Sequence, residues 1–291
     1  MPEIIEYLKN FETFVFDCDG VLYKGNNPIK GAKEVVEVLK DEGKEVKFLT
    51  NSPYSREKIK QKLKNVVDIE ASEEDIMTVA FATAKYIQEN KTKNNETVYV
   101  FGSDELKKEI ENTGLKVLER EEIMSEDFEL IQLPNWLVIS LYEGSDYYKN
   151  LAAAGLVLRN EKFDASHYLA TSKGKIWTRE KGLSPGVGCT IAALYEFSGK
   201  KPIIVGKPGK ILTDIAFKYW EINPEKSVLV GDKWSDIEVA NNYGFYGIKV
   251  ETGKQDFFNG VETLNEYKKP KMVLKSIRGI IDESEIIYFE K

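Results

Sequence analysis

Residues 13–25 read TFVFDCDGVLYKG. The first four are aromatic or β-branched, which is typical of a buried strand. Asp17 and Asp19 follow where the chain reaches Gly20. Two carboxylates this close repel one another unless a cation or a shared proton relieves them. In open parallel sheets, ligands bind outside the carboxyl ends of the strands, so this stretch predicts a polar site at a strand end.

Around this stretch, short apolar runs alternate with longer amphipathic segments. Segment 31–42 (GAKEVVEVLKDE) has its apolar residues on one helical face. Ser55 and Ser72 are the predicted N-caps of the next two helices. The predicted strands are 13–17, 45–50, 97–101, 136–140, 203–206, 227–231 and 245–250, and the predicted helices are 31–42, 55–65, 72–90, 103–113, 145–159, 187–198, 209–220 and 235–242. This alternation indicates an α/β fold with parallel strands.

Polar side chains follow four of the apolar runs. The four strand exits are Asp17-Cys18-Asp19-Gly20, Thr50-Asn51-Ser52, Gly206-Lys207-Pro208, and Gly231-Asp232 with Asp236 four residues later. Taken alone, the acid pair is equally compatible with a solvated strand end, and Thr50-Asn51 with a plain turn. The four exits together favour one functional site.

The acidic exits favour a hard divalent cation, for which carboxylate oxygens are natural ligands. Asp232 and Asp236 would add oxygens to those of the first acid pair. An EF-hand loop is the competing pattern. Counted from Asp17, that loop requires Gly at the position of Leu22 and Glu at the position of Pro28, so it is excluded.

The other two exits suit a phosphate group. Thr50 can donate through its hydroxyl and Asn51 through its amide. Backbone N–H groups in a loop that leads to a helix also bind anions. Lys207, held between Gly206 and Pro208, offers a cation that would offset both an aspartate and a phosphate.

Composition limits the chemistry. The chain has 291 residues and a net charge of −7, which disfavours general nucleic-acid binding. The single histidine, His167, rules out a multi-histidine zinc site and is itself expected to be structural. Cys18 and Cys189 are expected to be reduced. Neither a signal peptide nor a run of about 18 apolar residues is evident, so we expect a cytoplasmic protein without membrane contact.

The order Asp-x-Asp, Thr, Lys, Asp…Asp resembles the haloacid dehalogenase superfamily of phosphohydrolases. Residues 16–23 (FDCDGVLY), 48–51 (FLTN), 206–208 (GKP) and 231–236 (GDKWSD) are similar to its four motifs. Segments 23–25 and 182–208 resemble the subgroup with a large α/β cap between the second and third motifs. That subgroup holds the NagD-like, 4-nitrophenylphosphatase-like and phosphoglycolate phosphatase-like enzymes.

The resemblance implies catalytic roles for three residues. Asp17 would attack phosphorus and form an aspartyl-phosphate intermediate. Asp19 would protonate the leaving oxygen and then activate water. Lys207 would reduce the negative charge around Asp17.

The resemblance also implies a binding set. Mg²⁺ would be held by the Asp17 carboxylate, the Asp19 backbone carbonyl and Asp232, while Asp236 would hold a metal-bound water or Lys207. The residues expected to bind the phosphoryl oxygens are Gly20, Thr50, Asn51, Ser52 and Lys207.

Residues 78–178, between the second and third motifs, have their own strand–helix alternation. We therefore predict a Rossmann-like parallel-sheet core made of 1–77 and 179–291, with an inserted α/β cap domain at 78–178. Where related enzymes have a stretch similar to ATNPD, this chain has ATSKGK at 170–175. We predict that Lys173, Lys175 or Arg179 faces the leaving group and favours acidic phosphate esters; the alternative is a solvated basic loop.

The expected function is a Mg²⁺-dependent hydrolase of a small phosphate ester, with 4-nitrophenyl phosphate as an artificial substrate. A phosphotransferase that uses an alcohol acceptor remains open. A non-catalytic phospho-ligand-binding protein is a third alternative, which the intact acid pair disfavours. The expected partner is a small-molecule phosphate ester, with no nucleic acid and no membrane, and a homodimer through the cap is compatible with the resemblance.

Overall fold

The computed structural model describes residues 2–178, 182–253, 258–260 and 264–290. The chain divides into two compact units. The first contains residues 1–50, 56–77 and 216–291, and the second contains residues 51–55 and 78–215. The second unit therefore extends beyond residue 178, where the sequence places the end of the cap.

The elements are numbered in chain order. The strands are β1 (Thr13–Phe16), β2 (Tyr23–Lys24), β3 (Asn27–Pro28), β4 (Glu45–Thr50), β5 (Ile76–Thr78), β6 (Thr97–Phe101), β7 (Lys116–Leu118), β8 (Trp136–Ile139), β9 (Tyr168–Ala170), β10 (Ile176–Thr178), β11 (Leu183–Pro185), β12 (Ile203–Ile204), β13 (Ser227–Gly231), β14 (Tyr246–Val250), β15 (Met272–Leu274) and β16 (Ile286–Phe289). The α-helices are α1 (Ala32–Asp41), α2 (Arg56–Lys62), α3 (Val79–Asn90), α4 (Asp104–Glu111), α5 (Arg120–Ile123), α6 (Tyr147–Arg159), α7 (Val187–Ser198), α8 (Lys210–Trp220) and α9 (Trp234–Tyr243).

The first unit is built on a seven-stranded sheet with the order β16-β15-β14-β13-β1-β4-β5. Strand β1 lies between β13 and β4 and is parallel to both, with Phe16 opposite Val230 and Phe48. All four β1 residues are buried, as expected for a parallel strand with both faces covered. The carboxyl ends of β13, β1 and β4 therefore lie side by side, which confirms the predicted α/β fold.

The second unit is built on a five-stranded sheet with the order β12-β9-β8-β6-β7. Its strand pairs are all parallel. Strand β12 joins this sheet by pairing with β9, with Ile203 opposite Leu169. This pairing explains why the second unit extends past the predicted boundary, because β12 pairs with this sheet and the Gly206-Lys207 exit that follows it lies in the same unit.

The single helix predicted over 72–90 is wrong. The Ser72 N–H and hydroxyl both donate to the Asp75 carboxylate, at 3.1 and 2.7 Å, and this closes one 3₁₀ turn. The next residues form β5, which is fully buried beside β4. Helix α3 begins only after Thr78, whose hydroxyl accepts from the Phe81 N–H at 3.1 Å. Burial of residues 76–78 in the sheet thus overrides their local helical pattern.

Candidate active site

Three buried aspartates come together at the carboxyl ends of β1 and β13. Asp17, Asp232 and Asp236 are 5%, 3% and 1% exposed, and each contributes an oxygen that lies within 4.8 Å of the other two. Asp17 follows β1 directly, and its N–H donates to the Val230 carbonyl at 2.9 Å. Asp236 lies in the first turn of α9, where its carboxylate accepts from the Lys233 N–H at 3.1 Å. We call Asp17, Asp232 and Asp236 the aspartate cluster.

Three glycines pack directly against the cluster. A Cβ at Gly20 would lie 2.4 Å from Asp232 Oδ2, and one at Gly253 would lie 2.3 Å from the same oxygen. A Cβ at Gly231 would lie 2.2 Å from the Asp236 Cβ. No larger residue fits at these positions unless the carboxylates move. The backbone thus forms a cradle that limits where the aspartate side chains can lie.

The donor set of the cluster fits a hard divalent cation. Three buried carboxylates with oxygens this close repel one another, and a divalent ion with oxygen ligands relieves the repulsion. The cluster includes Asp236, which the resemblance places next to a metal-bound water or Lys207 rather than at the ion. Mg²⁺ is the ion that the sequence predicts, and the residues present suit it.

Lys233 is a cation beside the cluster that the sequence analysis does not single out. Burial lowers its pKa, but the carboxylates of Asp17, Asp232, Asp236 and Asp19 raise it more, so that the pKa of Lys233 lies above its usual value of 10.5. The residue also keeps contact with solvent, so the nearby carboxylates outweigh the partial desolvation. Lys233 therefore stays protonated at neutral pH and lowers the net negative charge of this region.

Asp19 and Gly20 begin the loop after β1. Asp19 is exposed, and its Oδ1 accepts from the Gly25 N–H at 3.3 Å. The Gly20 N–H donates to the Tyr23 carbonyl at 2.7 Å, and Gly20 has a φ of +96°, which favours glycine. This N–H is therefore bonded within the loop, and the phosphoryl contact expected at Gly20 stays a prediction. The contribution of Gly20 that the structure shows is its close packing against Asp232.

The second strand exit is divided between the two units. Thr50 ends β4 in the first unit and is 4% exposed. In the second unit, the Asn51 amide is bonded to both backbone groups of Lys207: Oδ1 accepts from the Lys207 N–H at 2.7 Å, and Nδ2 donates to the Lys207 carbonyl at 3.0 Å. Ser52 accepts a weak bond from the Tyr54 N–H at 3.4 Å. Asn51 thus holds the Lys207 backbone, and the phosphate contacts predicted for Asn51, Ser52 and Lys207 stay predictions.

The predicted cap loop follows β9. Lys173 and Lys175 are both exposed, and the Gly174 N–H between them donates to the Ser172 hydroxyl at 3.0 Å. Arg179, the third predicted cation of this loop, lies outside the described residues. The contribution of this loop to ester preference stays a prediction.

His167 also lies in the second unit. Its ring stacks on Trp136 with centroids 3.9 Å apart, and its Nδ1 lies 3.1 Å from the Asn135 carbonyl oxygen. These contacts agree with the structural role expected from the sequence.

A fifth strand exit is missed by the sequence analysis. Residues Glu251-Thr252-Gly253 follow β14 in the same way that the acid pair follows β1. The Thr252 hydroxyl donates to the Gly20 carbonyl at 2.5 Å, and the Lys24 ammonium donates to the Thr252 carbonyl at 3.3 Å. The polar residues that end the 245–250 run were the available signal. These two bonds tie the loop after β1 to the exit of β14, whose Gly253 packs against Asp232 of the cluster.

Comparison with known proteins agrees with this site. Residues 14–116 match the family model described as haloacid dehalogenase-like hydrolase. Residues 204–280 match a second model, described as HAD-hydrolase-like. The chain belongs to the haloacid dehalogenase-like hydrolases. The resemblance seen in the four motifs is thereby confirmed.

Individual haloacid dehalogenase-like relatives are similar over most of their length. An acid sugar phosphatase of Staphylococcus haemolyticus is 29% identical over 96% of this chain and 98% of that protein. The p-nitrophenyl phosphatase structure from Archaeoglobus fulgidus is 25% identical, with a TM-score of 0.79 over 94% of this chain and 99% of that one. The glycerol phosphate phosphatase from Mycobacterium tuberculosis, in complex with magnesium, shares the fold at 24% identity and a TM-score of 0.80, over 94% and 77% of the two chains. This chain is a phosphatase of the same family, as the sequence predicts.

The structure also shows whether any of the described helices could cross a membrane. Among them, no helix combines the length and the apolar character that a bilayer crossing requires.

Proposed function

We propose that the chain is a Mg²⁺-dependent phosphomonoester hydrolase that acts on a small phosphorylated metabolite through an aspartyl-phosphate intermediate. The observation that carries this proposal is the aspartate cluster, in which Asp17 lies with Asp232 and Asp236 at the end of a central strand. A carboxylate nucleophile needs no histidine, which agrees with a chain that has only one.

The cation would be held by the three carboxylates of the cluster. When bound, Mg²⁺ supplies positive charge that neutralises a phosphoryl group and orients it. The cradle of Gly20, Gly231 and Gly253 limits where the ligand side chains can lie. Preorganised charge of this kind supplies much of the rate enhancement in phosphoryl transfer.

In the first chemical step, an Asp17 carboxylate oxygen attacks phosphorus and the ester oxygen leaves. Asp19, two residues later and exposed, donates a proton to that oxygen. In the second step, the deprotonated Asp19 accepts a proton from water as the water attacks the phosphoryl group on Asp17. This releases inorganic phosphate and restores both carboxyl groups.

The first test is turnover of 4-nitrophenyl phosphate with Mg²⁺ and with a chelator. Asp17→Asn should lower kcat by about 10³-fold or more, since removal of a nucleophile leaves only the other stabilising contacts. Asp41→Asn, at the exposed end of α1, is the matched control and should have wild-type activity. Full activity of Asp17→Asn would refute the proposed mechanism.

The second test concerns the intermediate and the acceptor. Mass spectrometry of acid-quenched enzyme should find a phosphoryl group on the peptide that contains Asp17. Phosphate release should equal 4-nitrophenol release when alcohols are added. A phosphorylated alcohol as the main product would instead establish the phosphotransferase alternative.

The third test concerns ester preference. Lys173 and Lys175 are exposed cations in one loop, and this supports a preference for acidic esters. If they select the leaving group, the Lys173→Ala/Lys175→Ala variant should lose activity on acidic esters more than on neutral ones. An unchanged ratio between the two ester classes would refute this part of the proposal.

A further inference from the structure

Strand β14 contains a buried lysine. Lys249 is 1% exposed and lies opposite Gly231 on the neighbouring strand β13. Strands that are covered on both faces normally carry apolar residues, and lysine is almost never fully buried unless it is paired. A specific set of partners is therefore required at this position.

The Lys249 ammonium has an acceptor for each of its three N–H groups. It donates to the Asp232 carbonyl at 3.0 Å, to the Val250 carbonyl at 3.3 Å and to the Glu251 carboxylate at 2.9 Å. The second Glu251 oxygen accepts from the Phe258 N–H at 3.2 Å. The ion pair is thus locally neutral, and it contacts the aspartate cluster at the Asp232 peptide.

Asp232 is consequently held from two directions. Its side chain is packed between the backbones of Gly20 and Gly253, as their Cβ positions show. Its main chain is fixed by the bond from Lys249 to its carbonyl. An aspartate whose peptide could rotate would lose the carboxylate position that the glycine cradle allows.

We propose that Lys249 is a positioning residue whose ammonium group, held by Glu251, fixes the Asp232 peptide and thereby sets the affinity of the aspartate cluster for a divalent cation. The inference rests on the proposed function, because it assumes that the cluster binds such an ion. Partners of this kind, which orient a metal ligand, typically contribute a factor of about 10–100 in metal affinity.

If Lys249 had a purely structural role, its replacement would affect the stability of the fold and leave ion binding unchanged. Replacing a buried ion pair by apolar residues of similar volume is often neutral for stability or increases it. A Lys249→Leu/Glu251→Leu double variant should therefore keep its unfolding temperature. It should nevertheless bind the ion more weakly, because the ammonium that donates to the Asp232 carbonyl would be gone.

The experiment measures Mn²⁺ binding directly, by electron paramagnetic resonance of free Mn²⁺ and by calorimetry, together with thermal unfolding. The variants are Lys249→Met and the double Leu variant. The control is Lys47→Met, which removes a lysine from another strand of the same sheet, where it pairs with Asp75 at 2.9 Å. We expect Mn²⁺ affinity to fall about tenfold or more in Lys249→Met and in the double variant, and to stay unchanged in the control.

The outcomes separate the two proposals. Wild-type Mn²⁺ affinity in a folded Lys249→Met or double Leu variant would overturn the inference and leave the proposed function intact. If the wild-type protein itself binds no Mn²⁺ or Mg²⁺, the metal-dependent function fails, and the inference fails with it. If Lys249→Met does not fold, the double variant decides, since it leaves no unpaired buried charge.

Discussion

Gly253→Ala adds one methyl group beside the aspartate cluster. A Cβ at residue 253 would lie 2.3 Å from Asp232 Oδ2 and 3.0 Å from both Asp232 Cβ and Cγ. Since Cβ contacts below 3.0 Å are essentially never observed, the Asp232 oxygen must move by at least 3.0 − 2.3 = 0.7 Å. The backbone of Gly253 is not in the left-handed region, so the effect is steric and not conformational.

The carboxylate has little room to yield. Its other side is packed against Gly20, where a Cβ would lie 2.4 Å from the same oxygen. A misplacement of about 1 Å can cost about 10²-fold in rate. We therefore expect kcat/KM for 4-nitrophenyl phosphate to fall by about 10²-fold, which corresponds to about 2.7 kcal/mol of transition-state stabilisation. Overpacking should also cost about 1–3 kcal/mol of folding stability.

The assay combines steady-state kinetics over a range of Mg²⁺ concentrations with thermal unfolding of the same samples. The matched control is Gly182→Ala, where the added Cβ would have no atom within 4 Å. The control should keep wild-type kinetics and stability. A folded Gly253→Ala enzyme with wild-type kcat/KM and wild-type Mg²⁺ dependence would refute the idea that the cradle fixes Asp232.

Three further predictions concern the rest of the chain. Burial raises the pKa of Glu96, but the Trp136 indole and the other donors to its carboxylate lower it more. Glu96→Gln should therefore cost about 2 kcal/mol in urea unfolding near pH 7, and this difference should shrink as pH falls below the ordinary glutamate pKa of 4.5; a difference that grows on acidification would contradict the assigned sign. Thr78→Val removes the acceptor for the Phe81 N–H and should cost about 1 kcal/mol, whereas unchanged urea unfolding would argue against this N-cap. Cys18 is buried and Cys189 is exposed, so a thiol reagent should label Cys189 rapidly and Cys18 only after denaturation; rapid labelling of both in native protein would contradict this difference in burial.

Many site residues could be predicted from the sequence because each follows an apolar run directly, and residues adjacent in the chain stay adjacent in the fold. Asp17 and Asp19 directly follow an apolar run that is typical of a buried strand, and their repulsion already indicates a cation. Thr50 ends β4 and Asp232 follows β13, and both strands pair with β1 in parallel. The parallel sheet then places all three at one edge, as the alternation of strands and helices predicts.

Strand pairing, in contrast, was not readable from a single segment. Residues 76–78 look helical by local pattern and yet form β5. Segment 203–206 reads as a strand of the core, although β12 pairs with β9 of the second unit. Periodicity reports which face of a segment is buried, but not which strand lies beside it.

The sequence by itself determined the family and predicted the nucleophile and the acids that would bind a cation, because these depend on residue type and order along the chain. Only the tertiary structure decided how closely Asp236 lies to Asp17 and Asp232, that Gly253 packs on Asp232, and that Lys249 holds its carbonyl. Those contacts join β1, β13, α9 and the end of β14. Their distances are set by sheet register and backbone packing, and neither can be read from the residues of one segment alone.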